Sequence, residues 1–314
     1  MKKNIFMTII FLWVYVAECT QSITQQVIDQ GPLIINEPGA WILAESIVTE
    51  RDVAFVINAQ GVMFDLQGHV IDGNNKAKIA FDVRAHDCTI KNGTIKSFDD
   101  SAIRISDSSF CTLADLTILY SHQGIVCYRS SQAYLKNITL ESIIIAGIAC
   151  VDSASMYVTQ SFITSCAQGI AITGSSVDTV VEGVYIKNVQ QDALFCTSDS
   201  LTCSYVMCES CGNGIVIQGS NSVLSNIQSN KSTGSGFLVS GSNIKINSCI
   251  AFSNKNDGLR IAQNAKDVRV LGGAYAGNGK AGIRNMGGVT NTGYGIATYT
   301  NAEGDMIRIV NNMR

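Results

Sequence analysis

From Ala80 onward the chain repeats one short pattern, a Gly or Ala followed by apolar residues at alternating positions. The units begin at Ala80 (AFDV), Ala102 (AIRI), Gly124 (GIVC), Gly147 (GIAC) and Gly169 (GIAI), then at Ala193 (ALFC), Gly214 (GIVI), Gly236 (GFLV), Gly258 (GLRI) and Gly282 (GIRN). Their spacings are 22, 22, 23, 22, 24, 21, 22, 22 and 24 residues. A second alternating unit keeps the same phase, as CTIKNGTI from Cys88, CTLADLTI from Cys111, YLKNITL from Tyr134, YVTQSFI from Tyr157, VVEGVYI from Val180, VLSNIQS from Val223 and IKINSCI from Ile244. Alternation with period two predicts strands, and turn residues separate them. A unit of two or three short strands cannot bury its own apolar face, so successive units must stack.

Leucine-rich repeats have a similar length but need a Leu-rich consensus, and propeller blades of the WD type are about twice as long. The remaining solution is an all-β solenoid, a parallel β-helix in which each coil is one rung and rungs lie about 4.8 Å apart. About ten coils over 61–285 would form a rod core roughly 50 Å long. Residues 20–60 and 286–314 lack the phase and are expected to cap the two open edges, which would otherwise recruit other strands. The GIxI pattern and the entry segment VMFDLQGHVIDG, Val62 to Gly73, followed by CTIKNGTI, resemble the right-handed parallel β-helix repeats of the pectin-lyase-like superfamily. The resemblance runs from about Pro38 to the end and implies a right-handed β-helix. It implies little about activity, because that superfamily holds lyases, hydrolases, esterases, epimerases, adhesins and surface proteins.

Lys2 and Lys3 precede an apolar run from Ile5 to Ala17, and small or polar residues follow it. This is the pattern of a signal peptide over 1–19, so a secreted or cell-surface protein is expected, with no membrane span once the peptide is removed. Among 314 residues the formal net charge is only -3, which offers no basic footprint and excludes nucleic acid as an expected partner. Only 2 residues are Pro, Pro32 and Pro38, and both precede the repeats, as a ladder of paired strands requires.

Inward positions include Ile125 and Cys127, Ile148 and Cys150, and Ile170 and Ile172. The cysteines of neighbouring coils, Cys127 with Cys150 and Cys88 with Cys111, stack as small buried apolar residues. Parallel Cβ vectors at about 4.8 Å exceed the usual span of a disulfide. The single CxxC, Cys208 to Cys211, has no second pair and no His beside it, so neither a metal nor a cofactor is assigned. A column reading Asn92, Asp115, Asn137, Gln160, Gly183, Tyr205, Asn226 and Ser248 is expected to be a stacked amide ladder.

The outward column of the first strand reads Asp82, Arg104, Val126, Ala149, Ala171, Phe195, Val216, Leu238, Arg260 and Arg284. Asp82 and Arg104 are expected to pair across one rung. The apolar stretch, with Val126, Phe195, Val216 and Leu238 as its larger members, is expected to be covered by a second protomer or a terminal segment. Arg260 and Arg284 stack as like charges and, with Arg104, are candidates for holding an acidic sugar.

For catalysis, the resemblance asks for specific segments. Pectate-lyase-like elimination wants Arg-x-Pro-x-x-Arg, which the two early prolines exclude. The hydrolase segments Asn-Thr-Asp and Gly-His-Gly, and the epimerase segment Asp-Pro-His-Asp, are absent. The nearest constellation is Asp99 and Asp100 with His122 one coil on and Arg104 nearby, a candidate acid/base couple. The sequence therefore favours a surface for recognising polysaccharide or a cell-surface glycan. Two rival readings are a polysaccharide lyase or glycoside hydrolase with an atypical outer site, and a structural component that forms homo-oligomers through the apolar stripe.

Overall fold

A computed structural model describes residues 20–287 and 291–303. The expected signal peptide and the end of the expected C-terminal cap lie outside the described residues. Each Gly or Ala anchor opens a strand of one twelve-stranded sheet, which runs from Leu33–Ile35 to Ile283–Asn285. The other strands form a second sheet of 22 strands. Every pairing is parallel and joins equivalent positions of successive coils, as in Ile125 to Ile148, Ile148 to Ile170 and Ile170 to Leu194. The sequence period is thus one turn of a solenoid.

Each coil has three sides. The anchor strand makes the first face, and the second sheet bends to make the second and third. The bend falls on the column from Asn92 to Ser248, where all eight residues have φ between 50° and 63°. This corrects the expected amide ladder. Asn137 Nδ2 does donate to Asp115 Oδ1 (2.7 Å), but Gly183, Tyr205 and Ser248 cannot continue such a chain. What repeats is a left-handed backbone conformation, which Asn, Asp and Gly adopt most readily and other residues at a cost. The true buried amide ladder is elsewhere: Asn254 Nδ2 donates to Asn278 Oδ1 (3.0 Å) and Asn278 Nδ2 to Asn301 Oδ1 (3.1 Å).

The core is a stack of rows. Phe55, Phe64 and Phe81 interlock near the N-terminal end with centroids 4.8 to 4.9 Å apart. Farther along, Ile and Leu rows alternate with cysteines, and all ten described cysteines are free and buried. Burial pushes the Cys166, Cys196 and Cys211 thiols up to about 11, so they remain protonated and inert at neutral pH.

The solenoid has twelve rungs rather than ten, because it starts before residue 61. Leu33 pairs with Phe55 and Phe55 with Phe81, while Gln21–Ile23 pairs with Gly39–Leu43. The phase is lost there because the coil from Phe55 to Phe81 spans 26 residues, lengthened by the turn after Asp72. A helix, Gln25–Gln30, sets Ile28 into the end of the core, and Arg51 Nε donates to the Ile28 carbonyl (3.0 Å). At the other end Thr292–Tyr294 and Ala297–Tyr299 still pair with the coil before them, so the described part of 286–314 continues the sheets.

Candidate functional site

The register places the outward column of the first face as the alternation required. Arg104 lies beside Asp82 and Val126, then follow Ala149, Ala171, Phe195, Val216, Leu238, Arg260 and Arg284 on successive rungs. Its ion pairs differ from expectation. Asp82 is buried and accepts from Arg84 Nη2 at 2.5 Å, just past the end of its own strand, instead of from Arg104. Arg104 Nη2 instead reaches Asp100 Oδ2 at 2.5 Å. That contact also decides the fate of the candidate acid/base couple. The Asp100 carboxylate is engaged by Arg104 and by the Ser101 hydroxyl (3.3 Å), and no hydrogen bond joins it to the His122 ring among the described residues. His122 contributes its backbone N–H to the Phe98 carbonyl (2.9 Å), and Asp99 points to solvent.

Arg260 and Arg284 are adjacent as predicted, but they are not equivalent. Arg284 Nε binds the buried Asp257 carboxylate (2.9 and 3.0 Å) and its Nη2 binds Glu303 (2.6 Å). A carboxylate therefore resolves the like-charge stack, leaving Arg284 no free donor fork for an acidic sugar. Arg260 is exposed. Within the apolar stretch, Val216 is only 3% exposed because Phe195 and Leu238 flank it on the adjoining rungs.

A better-formed site lies on the bend between the second and third faces of the same coils. A shallow depression of about 510 Å³ is lined by Lys136, Thr159, Gln160, Glu182, Gly183 and Tyr205. Lys136, Thr159 and Glu182 hold one position on three successive rungs, so a cation and a carboxylate stand about two rungs, roughly 10 Å, apart. Gly183 at the bend removes a side chain between Gln160 and Tyr205, which opens the hollow, and Tyr205 is 63% exposed on its far wall.

Two residues upstream on the same strands, Tyr134 and Tyr157 stack with centroids 4.6 Å apart and planes 7° from parallel. The rungs on either side carry Thr112 and Val180 in that column, both shorter than a phenol; Tyr134 is 44% exposed and Tyr157 part-buried. Across the bend, Tyr185 OH donates to Glu209 (2.6 Å), which also accepts from Lys231 Nζ (3.0 Å) with Lys187 at 3.8 Å. Tyr185 and the two lysines hold the Glu209 carboxyl down to about 2, and the same hydrogen bond helps push Tyr185 up to about 12. Aromatic faces beside paired charges and amides suit a ligand with apolar C–H faces and many hydroxyls. The signal was present in the sequence as Tyr at matching positions of adjacent repeats, where only the repeat phase was read.

The model of the family described as right handed beta helix region matches residues 34–163 and again 146–312. The chain belongs to this right-handed β-helix family. Among solved structures, this family member resembles the periplasmic alginate epimerase AlgG, at 13% identity and a TM-score of 0.64, over 87% of this chain and 77% of that one. It resembles the receptor-binding protein of bacteriophage Det7, a podoviral tailspike in a myovirus, at 9% identity and a TM-score of 0.53, over 94% and 77%. The catalytic domain of a GH87 α-1,3-glucanase in complex with nigerose follows at 11% identity and 0.53, over 92% and 60%. At these identities the likeness is one of fold. No curated protein matches the chain significantly by sequence.

Proposed function

We propose that this β-helix protein is secreted or held at the cell surface and recognises polysaccharide, the chain lying across the bend between the second and third faces. The observation that carries the reading is the Tyr134–Tyr157 pair standing beside the depression of Lys136, Glu182 and Tyr205. A pyranose laid against the edge of the tyrosine pair would bring its hydroxyls over Thr159 and Glu182, with Lys136 able to meet a carboxylate or sulfate. Support of a weaker kind comes from the similar solved structures, whose names concern an alginate epimerase, a glucanase in complex with nigerose and a receptor-binding protein of a phage. The test is retention of the purified protein on immobilised acidic and neutral polysaccharides, with new reducing or unsaturated ends assayed in parallel. Tyr157→Ala is expected to weaken retention about 10-fold, the size of a lost aromatic contact of about 1.4 kcal/mol. Retention by none of the polysaccharides, or equal retention by the variant, would overturn the reading; chain cleavage would add catalysis to it.

A further inference from the structure

The small net charge of the whole chain hides an uneven distribution along the rod. Residues 20–209 hold 20 Asp and Glu against 10 Lys and Arg, a net of -10, whereas residues 210–303 hold 3 against 8, a net of +5. The pairing differs as sharply as the count. Eight of the 10 cations on the acidic coils have a carboxylate within 3.8 Å, among them Lys91 with Asp65, Lys96 with Asp72 and Arg129 with Asp107. On the later coils Arg284 takes both Asp257 and Glu303, and Lys231 shares Glu209 with Lys187. Asp267 is then the one carboxylate left to six exposed cations, Lys245, Lys255, Arg260, Lys266, Arg269 and Lys280. None of these six side chains has an ion-pair or hydrogen-bonding partner among the described residues.

Three of the six lie together. Lys245 and Arg269 are register partners on the second face, so like charges stand one rung, about 4.8 Å, apart, which costs stability in a ladder. The column holds Val223 on the rung before them and Thr292 on the rung after, so no carboxylate separates the pair there. Lys266 lies three residues before Arg269, on the turn that leads into the second face. Its carbonyl accepts from the Asn243 N–H (2.9 Å), which sets that turn directly against the Lys245 coil. Elsewhere the rod relieves such cations with its own acids, as Asp65 does on the rung beside Lys91 and as Asp257 and Glu303 do at Arg284.

We propose that Lys245, Lys266 and Arg269 form a binding site for an acidic polysaccharide, whose anionic groups sit between the stacked cations. The site rests on the reading that the protein meets polysaccharide, but not on the tyrosine pair, since the Lys245 coil lies three rungs, roughly 14 Å, beyond Glu182. Arg269 supplies a planar donor fork and the two lysines supply point charges, a set that takes carboxylate or sulfate. A patch this narrow suits a single chain of sugars. A long nucleic-acid duplex laid along the rod would meet the repelling coils of residues 20–209.

Retention of the purified protein on immobilised dextran, dextran sulfate, polygalacturonate and duplex DNA tests this. The two acidic polysaccharides should retain it in dilute buffer and release it as salt approaches 1 M, where screening shortens the reach of charge to about 3 Å. Lys245→Glu with Arg269→Glu should weaken that retention at least about 10-fold. Lys76→Glu with Lys78→Glu, the same change of net charge on the acidic coils, should leave it within about 2-fold. Circular dichroism confirms that each variant is folded, and Lys245→Gln with Arg269→Gln, a milder change at the same exposed positions, should give an intermediate loss. Retention of a neutral polysaccharide reports on the bend alone, so the two readings fail separately. Retention by neither acidic polysaccharide, an equal loss in the Lys76 and Lys78 variant, or tighter binding to the DNA than to either would overturn the proposal.

Discussion

The first face and the bend between the second and third faces rest on the same rungs and share one core, yet their surfaces differ in kind. Along the first face the column from Val126 to Leu238 is uncharged, and its members shield one another from rung to rung, as at Val216. Around the bend, bulky Tyr134, Tyr157 and Tyr205 alternate with Gly183 and with ionic groups, giving relief and a depression. In a solenoid the inward positions must obey the stack, whereas each outward column is free to vary. The two surfaces can therefore differ in relief and charge while the core beneath them repeats.

The largest expected effect tests the shared core. Ile215, fully buried on the first strand of its coil, should lose about 2 to 5 kcal/mol on replacement by Ala in urea unfolding, whereas outward Val126→Ala on the same face should cost under about 1 kcal/mol. Equal costs would mean that the inside and outside of the first face are misassigned. Next comes Tyr275, whose hydroxyl is buried without a hydrogen-bond partner among the described residues. Tyr275→Phe removes that polar group at nearly constant volume and is expected to stabilise the rod by about 1 kcal/mol, read from the same unfolding curves; a loss would reveal a partner for the hydroxyl.

The smallest effect concerns Asp192, a carboxylate at the start of a first-face strand. Burial raises its pKa, and the hydrogen bond from Asn213 Nδ2 (2.9 Å) only partly opposes that. A carboxyl raised in the folded state binds its proton more tightly folded than unfolded, so ionising it lowers stability as pH rises from the ordinary carboxylate value through the raised one. Asp192→Asn should therefore lift the melting temperature slightly at pH 7. The gain should vanish below the ordinary carboxylate range, and a gain that persisted in acid would contradict the burial argument.

Much of this was legible in the sequence, and the exceptions have physical causes. The period gave coil height and register correctly because a parallel ladder joins residue to residue at a fixed offset, as Cys127 to Cys150 illustrates. The first coils were read as a cap because one long turn broke the offset. The column of Asn92 and Asn137 was read as side-chain chemistry, although the constraint lies on φ, which Tyr205 meets as well as Asn does. Asp100 and His122 were placed on adjacent coils correctly, yet spacing could not tell that Arg104, four residues on in the same coil, would claim the carboxylate. The tyrosine pair escaped notice because alternation flags which residues face outward without ranking what those residues do together.

Hydroxyl-radical footprinting of the protein with and without a bound oligosaccharide tests the central claim most directly, because both surfaces carry reactive side chains. Glycan recognition at the bend predicts protection of Tyr134, Tyr157 and Tyr205, with the oxidation of Phe195 and Leu238 unchanged. Protection of Phe195 and Leu238 with the three tyrosines unaffected would contradict it.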